Sequence, residues 1–268
     1  MKLTEKEFNW IVEYMHNRYG IELGHKRVLI EGRLENYLLK NGYTSYGEFI
    51  NRIASSPDGE EAGDMINILT TNHTFFMREF MHFEYLSRYV LPWIREKKAG
   101  TKDVRIWSAA ASTGEEPYTI AMILNDYFGM ELGWDTQLLA TDISMEVLQK
   151  ASDGIYLTEQ IESIPDRWKR QYFRKINDEQ FQVSRELRKQ IVFKRFNLMD
   201  DIMFKGRFQV VFLRNVMIYF EDQTKQNLLK KIYGHMEDGG YLFIGTTESI
   251  DKVSSRFKYI QPSIYRKI

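Results

Sequence analysis

The first sign of chemistry in this chain is a pair of carboxylates set beside a run of very small residues. The stretch Val104-Arg105-Ile106-Trp107-Ser108-Ala109-Ala110-Ala111-Ser112-Thr113-Gly114-Glu115-Glu116-Pro117-Tyr118 opens as a strand, narrows to tiny side chains, and presents Glu115 and Glu116 where a helix begins. Pro117 suits a first helical turn, because its missing N–H would have had no intrahelical partner there. Strand, small-residue turn and helix together let a backbone approach a ligand closely and aim a helix N-terminus at it. Two carboxylates at that terminus would repel a pyrophosphate. A cationic, ribose-bearing ligand fits better, and S-adenosylmethionine, with its ammonium and sulfonium, is one. A tight turn with solvated carboxylates fits the same residues equally well.

Other polar groups fall at telling places. Thr136-Gln137-Leu138-Leu139-Ala140-Thr141 reads as a second strand closed by Asp142. A carboxylate there is where nucleoside-binding folds hold ribose hydroxyls. Phe208-Gln209-Val210-Val211-Phe212-Leu213 reads as a buried strand that runs straight into Arg214-Asn215, followed by Tyr219. Polar groups at the carboxyl end of such a strand lie in the crevice where open α/β sheets bind ligands. Upstream, Thr70-Thr71-Asn72-His73-Thr74-Phe75-Phe76-Met77-Arg78-Glu79 sets polar donors against two phenylalanines and a cation. The phenylalanines read as a plug at a domain junction, which leaves Asn72, Thr74 and Arg78 with something to bind.

The elements that must position these groups divide the chain. Residues 1–70 read as an all-α domain. Thr4 with Glu7 makes a capping box, Phe8, Ile11, Val12, Met15 and Tyr19 follow at helical spacing, and Gly20 ends the helix. Further helices are expected over about His25–Lys40, Tyr46–Ala54 and Glu60–Leu69. Residues 71–95 read as a linker with a helix over Phe80–Ile94. Residues 96–268 alternate strand and helix, as a parallel α/β sheet requires, with a helix over Tyr118–Tyr127, a turn at Asp238-Gly239-Gly240, and closing strands at Tyr241–Gly245 and Phe257–Tyr265. The alternation lapses at about 155–195, where a small β-containing insertion is expected.

Composition bounds the function. The chain has 268 residues, 43% hydrophobic, enough for a sizeable core. Its 37 basic and 37 acidic residues cancel, so nothing global favours nucleic acid. There are no cysteines, and the five histidines are scattered without ligand spacing, so no metal site is expected. The N-terminus has no apolar signal core and no run approaches membrane-spanning length, so a cytoplasmic protein without membrane insertion is expected.

Five stretches, in order, resemble the CheR family, the chemotaxis receptor protein-glutamate methyltransferases: Thr70–Glu79, Ser108–Tyr118, Ala140-Thr141-Asp142-Ile143, Phe196-Asn197-Leu198, and Leu213-Arg214-Asn215-Val216-Met217-Ile218-Tyr219-Phe220. The resemblance implies an all-α N-terminal domain followed by a Rossmann-like S-adenosylmethionine-dependent methyltransferase domain carrying a β-subdomain. It implies methylation of receptor glutamates in sensory adaptation, with S-adenosyl-L-homocysteine as product. Carried over by position, Asn72, Thr74, Arg78, Glu116, Asp142, Asn197, Leu198, Arg214 and Asn215 would form the cofactor pocket. Asp142 would hold the ribose, Glu116 would face the methionine ammonium, and Asn197 and Leu198 would lie near adenine. Arg78, Arg214 and Tyr219 would be catalytic, through orientation rather than proton transfer.

Two departures stand out. Met77 occupies a place where many relatives keep a second phenylalanine beside the arginine. No glycine lies between Gly154 and Gly206, whereas relatives that tether to a receptor pentapeptide use a glycine-containing loop there, so no such tether is expected. The partners implied are cytoplasmic receptor helices, met by a monomer. Lys26, Arg33 and Lys40, spaced seven apart with Arg27 beside them, would form a cationic docking face on the second helix. The alternative is a non-catalytic S-adenosylmethionine-binding adaptor of the same fold, and the intact polar set argues against it.

Overall fold

The computed structural model describes residues 1–129, 131–251 and 255–268. Four helices open the chain: α1 (Glu5–Tyr19), α2 (Arg27–Lys40), α3 (Tyr46–Ser55) and α4 (Glu60–Leu69). Thr4 and Glu7 close the capping box on α1, and Gly20 ends it with φ +70. Ser45 caps α3 through the Glu48 N–H. Helix α2 starts two residues later than its periodicity suggests, and its first residue is preceded by Lys26, which offers no side-chain cap. The expected helix over Phe80–Ile94 is interrupted. Helix α5 (Phe80–Tyr85) passes into a π turn at Leu86–Val90 and then into α6 (Leu91–Lys97), with Pro92 the second residue of α6.

The remaining strands are β1 (Ile106–Ser108), β2 (Leu138–Asp142), β3 (Ile155–Leu157), β4 (Phe173–Lys175), β5 (Gln180–Val183), β6 (Ile191–Arg195), β7 (Phe208–Leu213), β8 (Met236–Ile244), β9 (Phe257–Gln261) and β10 (Ile264–Lys267). Helices α7 (Glu115–Phe128), α8 (Met145–Asp153), α9 (Asp166–Tyr172), α10 (Arg185–Lys189) and α11 (Asp222–His235) connect them. The seven-stranded sheet has the order β6-β2-β1-β7-β8-β10-β9, parallel up to β8, with β10 antiparallel to both of its neighbours. The strand order turns back between β1 and β7, so a crevice opens at their carboxyl ends. Every residue of β7 is buried, since both faces of the sheet are covered. Val211 and Leu213 join a core that runs on into α1–α4 and α11, while Val210 and Phe212 join a core with α5, α6 and α7.

Three expectations need correction. The insertion was expected to reach about residue 195, but Ile191–Arg195 is the outer strand of the main sheet, paired in parallel with β2. The three-stranded insertion sheet is β3-β5-β4, and it also holds α9, which its charged sequence hid. The turn expected at Asp238-Gly239-Gly240 is a bulge within β8, where the partners of β7 jump from Met236 to Tyr241. Helix α7 also begins earlier than expected, at Glu115, with Pro117 as its third residue.

One glycine fixes the turn from β1 to α7. Gly114 has φ +100, and a Cβ there would lie 2.9 Å from the Ala151 Cβ and 2.9 Å from the Tyr156 hydroxyl. Gly114→Ala combines left-handed strain with that overlap, so it should cost about 2 kcal/mol or more. Urea unfolding measures this; a loss below about 1 kcal/mol would mean that the turn relaxes freely.

Candidate functional site

All ten residues expected to bind cofactor or act in catalysis line one cavity at the β1/β7 crevice: Asn72, Thr74, Arg78, Glu116, Asp142, Asn197, Leu198, Arg214, Asn215 and Tyr219. Its volume is about 120 Å³. The floor is Ala109 and Ala110, whose small side chains leave the space that the sequence pattern implied.

Asp142 closes β2 and is held from both sides. The Ser112 N–H donates to its Oδ2 at 2.9 Å and the Ser144 N–H to its Oδ1 at 3.0 Å. Burial pushes its carboxyl above the ordinary range, against those N–H donors and that of Ile143. Ser112 reaches it by taking φ +47, and its hydroxyl donates to the Asn72 carbonyl at 2.9 Å, tying the 70–79 segment to the β1 turn. The two adjacent glutamates part company. Glu116 lines the cavity and accepts from the Ser108 hydroxyl at 2.8 Å. Glu115 is 1% exposed, accepts from the Thr113 hydroxyl at 2.7 Å, and is pushed up by burial. It is a core carboxyl, not a solvated one.

Arg214 is the centre of the polar floor, its side chain 2% exposed. Its Nε donates to Glu79 Oε2 at 3.3 Å. One terminal nitrogen donates to Glu116 Oε2 at 2.7 Å, and the other to Glu79 Oε2 at 3.0 Å and to the Arg78 carbonyl at 2.5 Å. A guanidinium has five N–H groups, so four are engaged and one remains for a ligand. Arg78 is freer: it donates to the His73 carbonyl at 2.8 Å, and its guanidinium lies 5.8 Å from the Phe75 ring centre. Met77 and Glu79, on either side of it, take φ +64 and +56. Left-handed non-glycine residues cost about 1 kcal/mol each, and such strain persists only where the surroundings impose it.

Sequence reasoning missed the contribution of the N-terminal domain. Tyr19 and Ile21 line the cavity, Ile21 bridges Phe220, and the Glu22 N–H donates to the Tyr219 carbonyl at 2.9 Å. The Asn197 amide donates to the Arg18 carbonyl at 2.8 Å and accepts from the Met199 N–H, so much of its capacity goes to joining the domains. The Tyr219 hydroxyl has no hydrogen-bond partner among the described residues. Glu79 and Glu248 were also missed as anchors. Glu248 accepts from the Gly245, Asn215 and Ile218 N–H groups, which holds the loop after β7 against the end of β8. A signal for Glu79 existed in its position directly after Arg78, but adjacent opposite charges usually mark surface.

The α2 cations stand outside the cavity, and two are occupied. Arg27 pairs with Glu5 at 2.5 Å and with Glu31 at 3.4 Å. Arg33 donates to the Ile68 and Thr70 carbonyls at 3.1 Å each and to the Thr71 hydroxyl, so it ties α2 to the end of α4 instead of facing a partner. Lys40 is exposed, and Lys26 sits 5.7 Å from the Tyr219 ring centre.

Comparison with known proteins gives concordant findings. The family description "CheR methyltransferase, SAM binding domain" matches residues 72–266, and "CheR methyltransferase, all-alpha domain" matches residues 6–70. The chain is 38% identical over 272 residues to a chemotaxis protein methyltransferase of Borreliella burgdorferi, covering 100% of this chain and 96% of that protein. It is 35% identical over 271 residues to the chemotaxis protein methyltransferase of Escherichia coli, covering 99% and 92%. To chemotaxis protein methyltransferase Cher2 of Pseudomonas putida it is 32% identical over 268 residues, covering 98% and 97%.

Behind Arg214 lies His82, 2% exposed, with Nε2 3.0 Å from the Ser263 hydroxyl and Nδ1 3.3 Å from Glu79 Oε2. Burial, helped by the Arg214 charge and opposed by Glu79, lowers His82 to about 4. The unfolded chain takes up that proton near 6.5, so unfolding binds a proton between these values, and stability should fall as pH drops from 6.5 towards 4. His82→Gln should flatten the melting temperature across that window. An unchanged slope would assign the acid sensitivity to other groups.

Proposed function

This chain belongs to the CheR methyltransferase family and is an S-adenosylmethionine-dependent methyltransferase, and we propose that its substrates are glutamate side chains on the cytoplasmic helices of chemotaxis receptors. The observation that carries this reading is the gathering of Arg78, Asp142, Glu116 and Tyr219 around one cavity, with the family match spanning both domains. The donor set suits the cofactor: a carboxylate pinned by main-chain N–H groups for ribose hydroxyls, a second carboxylate for an ammonium, and a floor of alanines. S-adenosylmethionine, when bound, supplies a methyl group on a sulfonium that leaves readily.

The residues present do the rest by placement. A substrate glutamate is ionised at neutral pH, with an ordinary pKa of about 4.3, so no general base is needed. Arg78, with donors to spare, orients a carboxylate, and the Tyr219 hydroxyl positions the approaching side chain. Arg214 holds the pocket's shape and offers a ligand one N–H. Phe83 and Phe220 exclude water along the wall. The three segments 1–70, 71–95 and 96–268 then act as docking domain, pocket wall and catalytic domain, in a cytoplasmic monomer that needs no pentapeptide tether.

Incubation with radiolabelled S-adenosylmethionine and receptor cytoplasmic fragments should give base-labile methyl esters. Asp142→Ala should remove both ester formation and calorimetrically measurable cofactor binding, because the ribose hydroxyls lose their acceptor. Wild-type binding by that variant would take Asp142 out of the site, and absence of ester from the wild type would overturn the substrate reading.

For docking, Lys26 and Lys40 are the α2 cations left to meet an acidic helix. Lys26→Glu/Lys40→Glu should raise KM for the receptor fragment several-fold at low ionic strength, with cofactor affinity unchanged. The difference should shrink as screening shortens below about 8 Å. Equal KM at low salt would remove this face from recognition.

A further inference from the structure

Glu79 is the anchor to which the family resemblance assigns no part. Its Oε1 accepts from the Asn215 side-chain amide at 3.3 Å, from the Thr246 N–H at 3.2 Å and from the Thr246 hydroxyl at 3.0 Å, while its Oε2 takes two N–H groups of Arg214. Those donors and the Arg214 charge hold its carboxyl below the ordinary range, although burial pulls the other way. Among the described residues His82 on α5 also faces it, and being neutral above about pH 4 it adds no second cation.

The charge count around Arg214 is therefore lopsided. One buried guanidinium serves two partly buried carboxylates, Glu79 and Glu116, both 13% exposed in their side chains. A guanidinium facing Glu116 alone would form a neutral pair. Shared with Glu79, it leaves the triad with an excess negative charge, and Glu116 is the member that lines the cavity. In a poorly solvated site such an excess attracts a cation much more strongly than it would in water.

We infer that Glu79 is a positioning residue for cofactor recognition: by taking up the charge of Arg214 it keeps the Glu116 carboxylate available to a cationic ligand. It does not touch the cavity itself and acts through Arg214. The inference rests on the assignment of Glu116 to the cofactor's ammonium, and its test separates the two. S-adenosylmethionine carries an ammonium, a sulfonium and a carboxylate, a net single positive charge. 5′-Methylthioadenosine keeps the nucleoside and is neutral. A charge effect moves the first ligand and spares the second, whereas a collapsed pocket moves both.

The experiment is calorimetric titration of the full chain with each ligand, alongside its melting temperature without ligand. Glu79→Gln should weaken S-adenosylmethionine about tenfold and leave 5′-methylthioadenosine within twofold. Arg214 still has Glu116 as its partner in this variant, which favours folding. Glu79→Asp and Thr246→Val preserve the charge and should keep the wild-type ratio of the two affinities even if they melt earlier. Parallel weakening of both ligands in Glu79→Gln, no weakening of either, or an altered ratio in the charge-preserving variants would overturn the assignment. Glu116→Gln distinguishes the failures. If it leaves S-adenosylmethionine binding intact, the ammonium assignment falls and the role of Glu79 with it; if it weakens binding while Glu79→Gln does not, only the role of Glu79 falls.

Discussion

The structure of the site depends on a buried cation that cannot be left alone. Removing a guanidinium from water is costly, and a buried ion pair stabilises little unless every donor finds a partner. Arg214 comes near that demand with four of its five N–H groups engaged, by Glu116 at the start of α7, by Glu79 ahead of α5, and by the Arg78 carbonyl. Glu79 in turn collects Asn215 after β7 and Thr246 after β8. One charge thus locks the segment before α5, the start of α7 and the ends of two strands into a single arrangement. The left-handed backbone at Met77, Glu79 and Asn215 is what this convergence imposes. The same network orders the wall that carries Arg78, the residue with donors left to use.

Topology explains why the network sits where it does. The sheet turns back between β1 and β7, so the loops after these strands diverge to opposite faces and leave a gap. Small residues after β1 keep the gap open, and Gly114 gives α7 its close approach to α8 and to Tyr156 of the insertion. Asp142 closes the neighbouring strand and reaches across to the Ser112 N–H. Asp142, Glu116 and Arg78 are therefore spread along one crevice.

Much of this was legible in local pattern. The Thr4–Glu7 cap, the apolar run of β7 and the carboxylate ending β2 are short-range signals, and each appears where its chemistry places it. What stayed hidden depends on residues far apart in sequence. Ile191–Arg195 has the same composition whether it pairs inside an insertion or along β2, and only the completed sheet decides. Glu115 and Glu116 look equivalent on paper, yet successive helical positions point about 100° apart, so one enters the cavity and its neighbour enters the core. Glu79 carried only the weak signal of its place beside Arg78, because its partners lie 135 to 167 residues downstream.

The N-terminal domain poses the same problem at a larger scale. Nothing in its helices reads as an active site, and a docking role was the natural expectation. Its core is nevertheless continuous with one face of the sheet, and Tyr19 and Ile21 enclose the cavity from that side. The contacts run from the end of α1 to the two loops that flank the site: Arg18 to Asn197, Ile21 to Phe220, and Glu22 to Tyr219. Lys26 completes the same edge by resting over the Tyr219 ring. This segment walls the cavity and holds the Tyr219 loop at once. The α1–α2 connection and the loop that bears Tyr219 are thus held together by main-chain pairing as well as by the shared core.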